Sequence, residues 1–99
     1  MRYVYILRCQ DESLYIGESD ELKARIDRHN DGRGCVYTAS RLPVTLVYAE
    51  QFATRIEAVK RERQLKRWTR EKKEALIAGD LRKLKRLSQS RAGHISGNN

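Results

Sequence analysis

The chain has 99 residues, 39% of them hydrophobic, and 21 Lys plus Arg against 13 Asp plus Glu, for a formal net charge of +8. That length accommodates one hydrophobic core, and no run approaches the roughly 18 apolar residues of a membrane span. The start, MRYVYILRCQDE, turns polar too early for a signal peptide, so a cytoplasmic protein with a polyanionic partner is expected. Cys9 and Cys35 stand apart without CxxC or paired-histidine spacing, which excludes a disulfide framework and a zinc knuckle.

Residues 2–9 (RYVYILRC) are aromatic and β-branched and read as a strand, Asp11-Glu12-Ser13 as a turn, and Leu14-Tyr15-Ile16-Gly17 as a second strand, together a hairpin. Ser19 offers an N-cap for a short amphipathic helix over 20–30, with Leu22, Ile26 and His29 on one stripe. Asn30-Asp31-Gly32 ends it, and 32–43 reads as a loop. Residues 44–52 (VTLVYAEQF) form a third strand, with Pro43 at its start. Thr54 and Glu57 have capping-box spacing, so a helix is expected over 55–68. Thr69 caps another helix over 70–78, Gly79 ends it, and Asp80 caps a basic helix over about 80–88. Residues 89–99 are small and polar and read as an unstructured tail.

Charge is unevenly distributed along these elements. Residues 1–54 carry 7 basic and 8 acidic side chains, whereas residues 55–99 carry 14 and 5. Basic helices are commonly no more than solvated faces, so this asymmetry alone does not decide for nucleic acid.

A second group of residues bears chemistry. Tyr5 and Tyr15 share a sheet face if the hairpin registers them with matching parity. Arg25 lies one helix away, with His29 one turn later. Glu62 falls four residues after Ala58 and three before Leu65, which puts a carboxylate on the apolar stripe of its helix. These are a divalent-cation ligand, a phosphate-binding guanidinium and phenols able to hold or deprotonate a water. Structural alternatives stand beside each: core tyrosines, Arg25 paired with Asp20 or Asp27, His29 as a partly buried helix cap, and Glu62 neutralised by Arg61 or Lys66. Cys9 reads as a buried residue, Cys35 as an exposed thiol without a catalytic partner, and Trp68 as core.

In order, Tyr3-Val4-Tyr5, Tyr15-Ile16-Gly17, Leu22-x-x-Arg25-x-x-x-His29 and Glu57-Ala58-x-x-x-Glu62-x-x-x-Lys66 resemble the motif series of the GIY-YIG nuclease domain. Residues 23–30, Gly32-x-Gly34, Tyr37-Thr38 and Arg41-x-Pro43-Val44 resemble its small bacterial branch, over roughly residues 2–78. The resemblance implies an α/β (α+β) fold, a three-stranded antiparallel sheet flanked by helices, and one domain over 1–88. It also implies cleavage of DNA with a single Mg²⁺ or Mn²⁺ on Glu62, Arg25 on the scissile phosphate, and a tyrosine activating water. Tyr5 is then the base and Tyr15 the orienting phenol, or the reverse, and His29 bonds the water or a phosphate oxygen. Glu57, satisfied by its capping box, is not the metal ligand. Arg33, Tyr37, Thr38, Arg41, Lys66 and Arg67 are expected against DNA, recognised by branch, flap or single-stranded shape, in repair, recombination or degradation. Glu18, three residues after Tyr15, would repel a phosphate unless screened. It motivates an alternative: a nucleic-acid-binding module that has the fold with little or no turnover. Both DNA readings require salt-sensitive affinity.

Overall fold

The computed structural model describes the backbone of residues 1–98, with side chains described through residue 89. In chain order the elements are β1 (Arg2–Arg8), β2 (Leu14–Ser19), α1 (Leu22–Asn30), α2 (Val36–Ala39), β3 (Thr45–Phe52), α3 (Arg55–Lys66), α4 (Arg70–Ala78) and α5 (Leu81–Asn98). The strands form an antiparallel sheet in the order β2-β1-β3, which is the three-stranded α+β arrangement expected. The backbone divides into two compact units: Met1–Arg67 holds the sheet with α1, α2 and α3, and the chain from Trp68 onward holds α4 and α5, packed on each other. Among the described residues, no helix is long and apolar enough to cross a membrane.

The hairpin has the parity that the two tyrosines require. Tyr5 pairs with Gly17 and Leu7 with Tyr15, on one face, while Val4 pairs with Glu18 and Ile6 with Ile16 on the other. Tyr5, Leu7, Cys9 and Val44 form a buried cluster on the first face, closed by Tyr15, Leu42, and Leu22 and Ile26 of α1. The apolar stripe of α1 is thereby used, with Leu22 and Ile26 partly buried against this cluster. Val4 and Ile6 are likewise without exposed surface, and α3 packs against β1 and β2 while burying Ala58 and Leu65.

The helix signals are largely realised. Thr54 and Glu57 form the reciprocal capping box of α3, Thr69 accepts the Lys72 N–H at the start of α4, and Gly79 ends that helix at φ 71°. Asp80 accepts the Lys83 N–H at 3.0 Å. Boundaries differ in four places. Ser19 belongs to β2, its hydroxyl accepting the Glu21 N–H at 3.1 Å, and α1 begins at Leu22. Residues 32–43 contain the single turn α2, because Cys35 accepts the Ala39 N–H at 3.0 Å. Helix α3 stops at Lys66, with Arg67 as its C-cap. Helix α5 passes residue 88 and continues to Asn98; the segment read as an unstructured tail contains no proline to stop a helix propagating. Asn99 lies outside the described residues.

Asn30 ties both ends of the 31–43 excursion. Its side chain donates to the Val44 carbonyl at 3.1 Å and accepts the Val44 N–H at 2.8 Å, doing for the loop what a strand ladder does elsewhere. Asn30→Ala removes both bonds and should lower unfolding free energy by about 1–3 kcal/mol in a urea titration. Unchanged stability would show that Asn30 does not tie the loop.

Candidate active site

Three buried side chains make a hydrogen-bonded line across the first sheet face. The Tyr5 hydroxyl meets His29 Nε2 at 3.1 Å, and His29 Nδ1 meets Thr38 Oγ1 at 2.8 Å. Tyr5 is 1% exposed, and His29 and Thr38 have no exposed surface. Helix periodicity puts His29 in the last turn of α1, on the stripe that faces the sheet. Two glycines make room. A Cβ at Gly17, the ladder partner of Tyr5, would stand 2.3 Å from the Tyr5 oxygen, and one at Gly34 would stand 2.1 Å from His29 Nδ1. The glycine of Tyr15-Ile16-Gly17 is therefore required by the close approach of a ring.

Tyr15 packs edge-on to His29 with ring centroids 5.2 Å apart, and stacks beside Tyr37 at 6.1 Å. The Arg41 guanidinium lies 3.9 Å from the centre of the Tyr37 ring. Burial raises the Tyr5 phenol far above the usual tyrosine range, and it pushes Tyr15 up to about 12. The Arg25 cation opposes this at both phenols, and the Glu62 carboxylate reinforces it at both. One positive and one negative side chain thus act on the same two hydroxyls.

Other partners account for the carboxylates that could have claimed Arg25. Asp27 pairs with Lys23 at 3.1 Å and Asp20 with Arg2 at 3.4 Å. Glu62 pairs with Lys66 through Oε2 at 3.1 Å, its side chain 19% exposed, while Arg61 is engaged with Glu50 at 3.0 Å. Glu57 is held in the capping box by the Thr54 N–H and hydroxyl. Five of the expected residues, Tyr5, Tyr15, Arg25, His29 and Glu62, are therefore mutually linked by contact or by charge.

The outer expectations need sorting. Thr38, expected against DNA, is fully buried with its hydroxyl on His29. Cys35, expected as an exposed thiol without a partner, is half-buried with Sγ 3.4 Å from Thr38 Oγ1. Burial pushes its thiol up, but hydrogen bonds from Thr38 and Tyr15 outweigh that and hold it below the usual cysteine range. Glu18 faces the opposite side of the sheet from Tyr15 and is bonded to Arg2 at 2.5 Å, so it is screened. Arg33 pairs with Asp31 at 3.0 Å on the surface, and Arg41 with Asp11 at 3.1 Å. Tyr37 keeps 38% of its surface exposed. Arg67 lies beside Arg55, Lys60 and Arg63 along the outer face of α3. Trp68, expected as core, is half-buried with Lys72 Nζ 4.3 Å from its ring centre. No sequence signal marks Thr38, because a single helical turn inside a loop has no periodicity to read.

The histidine has a thermodynamic signature. Burial, then the Arg25 and Arg28 cations, lowers the pKa of His29 below its ordinary value of 6.5. The unfolded chain consequently takes up a proton that the folded chain refuses, so stability is complete above that value and falls as pH drops through it, until folded His29 titrates. The melting temperature, followed from about pH 8 to about pH 5, should fall for the wild type and fall less steeply for His29→Gln. Equal slopes would contradict a buried, neutral His29.

Comparison with known proteins identifies the family and the fold. Residues 1–75 match the family model of the GIY-YIG catalytic domain. A UPF0213 protein of Staphylococcus aureus strain Mu3 is 49% identical over 75 residues, which is 76% of this chain and 92% of that protein. The solution NMR structure of a UPF0213 protein from Bacillus halodurans is 40% identical with a TM-score of 0.52, covering 79% of this chain and 84% of that one. A protein of E. faecalis, also solved by NMR, is 41% identical with a TM-score of 0.55, covering 79% and 83%. The chain belongs to the GIY-YIG family of nuclease domains, among the small UPF0213 proteins.

Proposed function

We propose that the protein is a metal-dependent endonuclease that hydrolyses DNA phosphodiester bonds and selects its substrate by branch, flap or strand structure, in repair, recombination or degradation. The observation that carries this reading is that buried Tyr5 and half-buried Tyr15 share one sheet face beside His29, with the charges of Arg25 and Glu62 both felt at the two hydroxyls. The functional domain proposed is 1–88, since the family match through residue 75 runs from the first compact unit into the second.

The residues divide the work as follows. Tyr5 is too strongly held as a neutral phenol to serve as a free phenolate near pH 7. Its hydroxyl meets Nε2 of an imidazole whose charged form is disfavoured by burial, and that nitrogen serves as its proton acceptor in this reading. A water that gives a proton to the Tyr5 oxygen as Tyr5 gives its own to His29 Nε2 becomes a hydroxide-like nucleophile, and the positive charge ends on the imidazole. Arg25, without an ion-pair partner among the described residues, binds a phosphate oxygen and stabilises charge developing there. Tyr15 orients the phosphate or the water, and Tyr37 with Arg41 and Arg33 borders the entry. Lys66 and Arg67 supply phosphate contacts along α3.

The donors fit a single Mg²⁺ or Mn²⁺. Among the described residues no three His, Cys, Asp or Glu side chains cluster as a closed metal site, and Glu62 is a half-buried carboxylate whose charge is already felt by both phenols. One carboxylate with water and substrate phosphate is an ordinary Mg²⁺ environment. When bound at Glu62, the ion would neutralise charge on the phosphate and leaving oxygen. Glu18, one ground for the binding-only alternative, is paired with Arg2 on the face opposite Tyr15, which favours the nuclease reading on that point.

The test is cleavage of labelled duplex, single-stranded, flap and branched DNA with Mg²⁺ or Mn²⁺, using Glu62→Gln and Glu57→Gln in parallel. Glu62→Gln should lose about 10²–10³-fold in rate, while Glu57→Gln should retain cleavage within about threefold, because glutamine still accepts the Thr54 N–H in the capping box. Equal damage from both, or no metal-dependent cleavage of any substrate, would overturn the proposal.

A further inference from the structure

We propose that Thr38 is a positioning residue for the hydrolysis: by accepting the Nδ1 proton of His29, it holds the imidazole in the one tautomer whose Nε2 can take the Tyr5 proton. This rests on the nuclease reading above, but its first readout does not require cleavage.

Hydrogen-bond accounting fixes the direction of the chain. The Tyr5 hydroxyl is buried and protonated, and a buried O–H needs an acceptor. Its hydrogen-bond partner is His29 Nε2 at 3.1 Å, so that nitrogen must present a lone pair and the ring proton must sit on Nδ1. That proton in turn needs an acceptor in a place with no exposed surface, and Thr38 Oγ1 stands 2.8 Å away. Thr38 can accept because its own proton has other destinations, the Cys35 carbonyl oxygen and Sγ, both at 3.4 Å. The reverse orientation would have Nε2–H donate to Tyr5 and would strand the phenolic proton in the core.

The surroundings leave the ring no other way to satisfy Nδ1. Gly34 backs against it so closely that a Cβ there would lie 2.1 Å from Nδ1 and 2.5 Å from Cγ. The loop that carries Gly34, Cys35 and Thr38 is the same excursion tied off by Asn30 and Val44. Thr38 has no exposed surface; it acts through His29, as outer residues orient catalytic imidazoles in other sites.

The experiment is ¹⁵N NMR of the histidine side chains in the full chain, for wild type, Thr38→Ser and Thr38→Val, with cleavage rates measured beside it. Wild type and Thr38→Ser should show His29 protonated on Nδ1. Thr38→Val, which keeps the shape and removes the acceptor, should shift His29 toward the Nε2–H form and lower the rate by about 10- to 100-fold, with Thr38→Ser restoring most of it. A wild-type His29 protonated on Nε2 overturns the proposal even if Thr38→Val fails to fold, and so does a folded Thr38→Val with tautomer unchanged. If the tautomers behave as expected while no protein cuts DNA, Thr38 is confirmed as the tautomer-setting residue and the nuclease reading fails alone.

Discussion

The Tyr5 hydroxyl, buried in the sheet face with His29 Nε2 as its hydrogen-bond partner, is the constraint on which the site depends. A phenol in that position costs several kcal/mol unless its proton is accepted. The acceptor must arrive from another element, and α1 delivers it in its last turn. The ring of Tyr5 needs the space that Gly17 leaves, and the ring of His29 needs the space that Gly34 leaves. The second imidazole nitrogen then needs Thr38, which explains why residues 32–43 fold back as α2 and are fastened to the start of β3 through Asn30. A motif written as separate short words in the sequence is thus one connected packing and hydrogen-bonding problem.

Much of this was legible from the residues. Period-2 alternation placed Tyr5 and Tyr15 on one face, and the capping box of Thr54 and Glu57 fixed the start of α3 and removed Glu57 from the candidate ligands. Position on the helical stripe singled out Glu62. Parity also contained the answer for Glu18: three residues from Tyr15 on one strand is an odd step, which turns the side chains to opposite faces. That step is visible only if β2 is read through to Ser19, and Ser19 looks like a helix cap. Thr38 and Cys35 were not legible. Their roles depend on a single helical turn inside a glycine-containing loop, where neither periodicity nor propensity gives a signal.

The charge of the second half is less free than its count suggests. Lys66 is engaged with Glu62, Arg61 with Glu50 and Arg70 with Glu74, pairs worth only about 0–1 kcal/mol each at the surface but enough to quiet the local field. Arg55, Lys60, Arg63 and Arg67, on one face of α3, have no ion-pair partner among the described residues. Under the proposed function, long-range attraction of a polyanion would be best served there, while local stabilisation of a reacting phosphate would fall to Arg25. Binding and chemistry would then belong to different cations, and a basic composition alone does not locate such a site.

The most direct measurement is a crystal structure of Glu62→Gln with an uncleaved DNA substrate, chosen from the form that the wild type binds best. The expected result is a phosphate seated on Arg25 beside the Tyr5 and Tyr15 hydroxyls, with the Tyr5–His29–Thr38 chain intact behind it. DNA lying only along Arg55, Lys60, Arg63 and Arg67, with no phosphate reaching Tyr5, would contradict it.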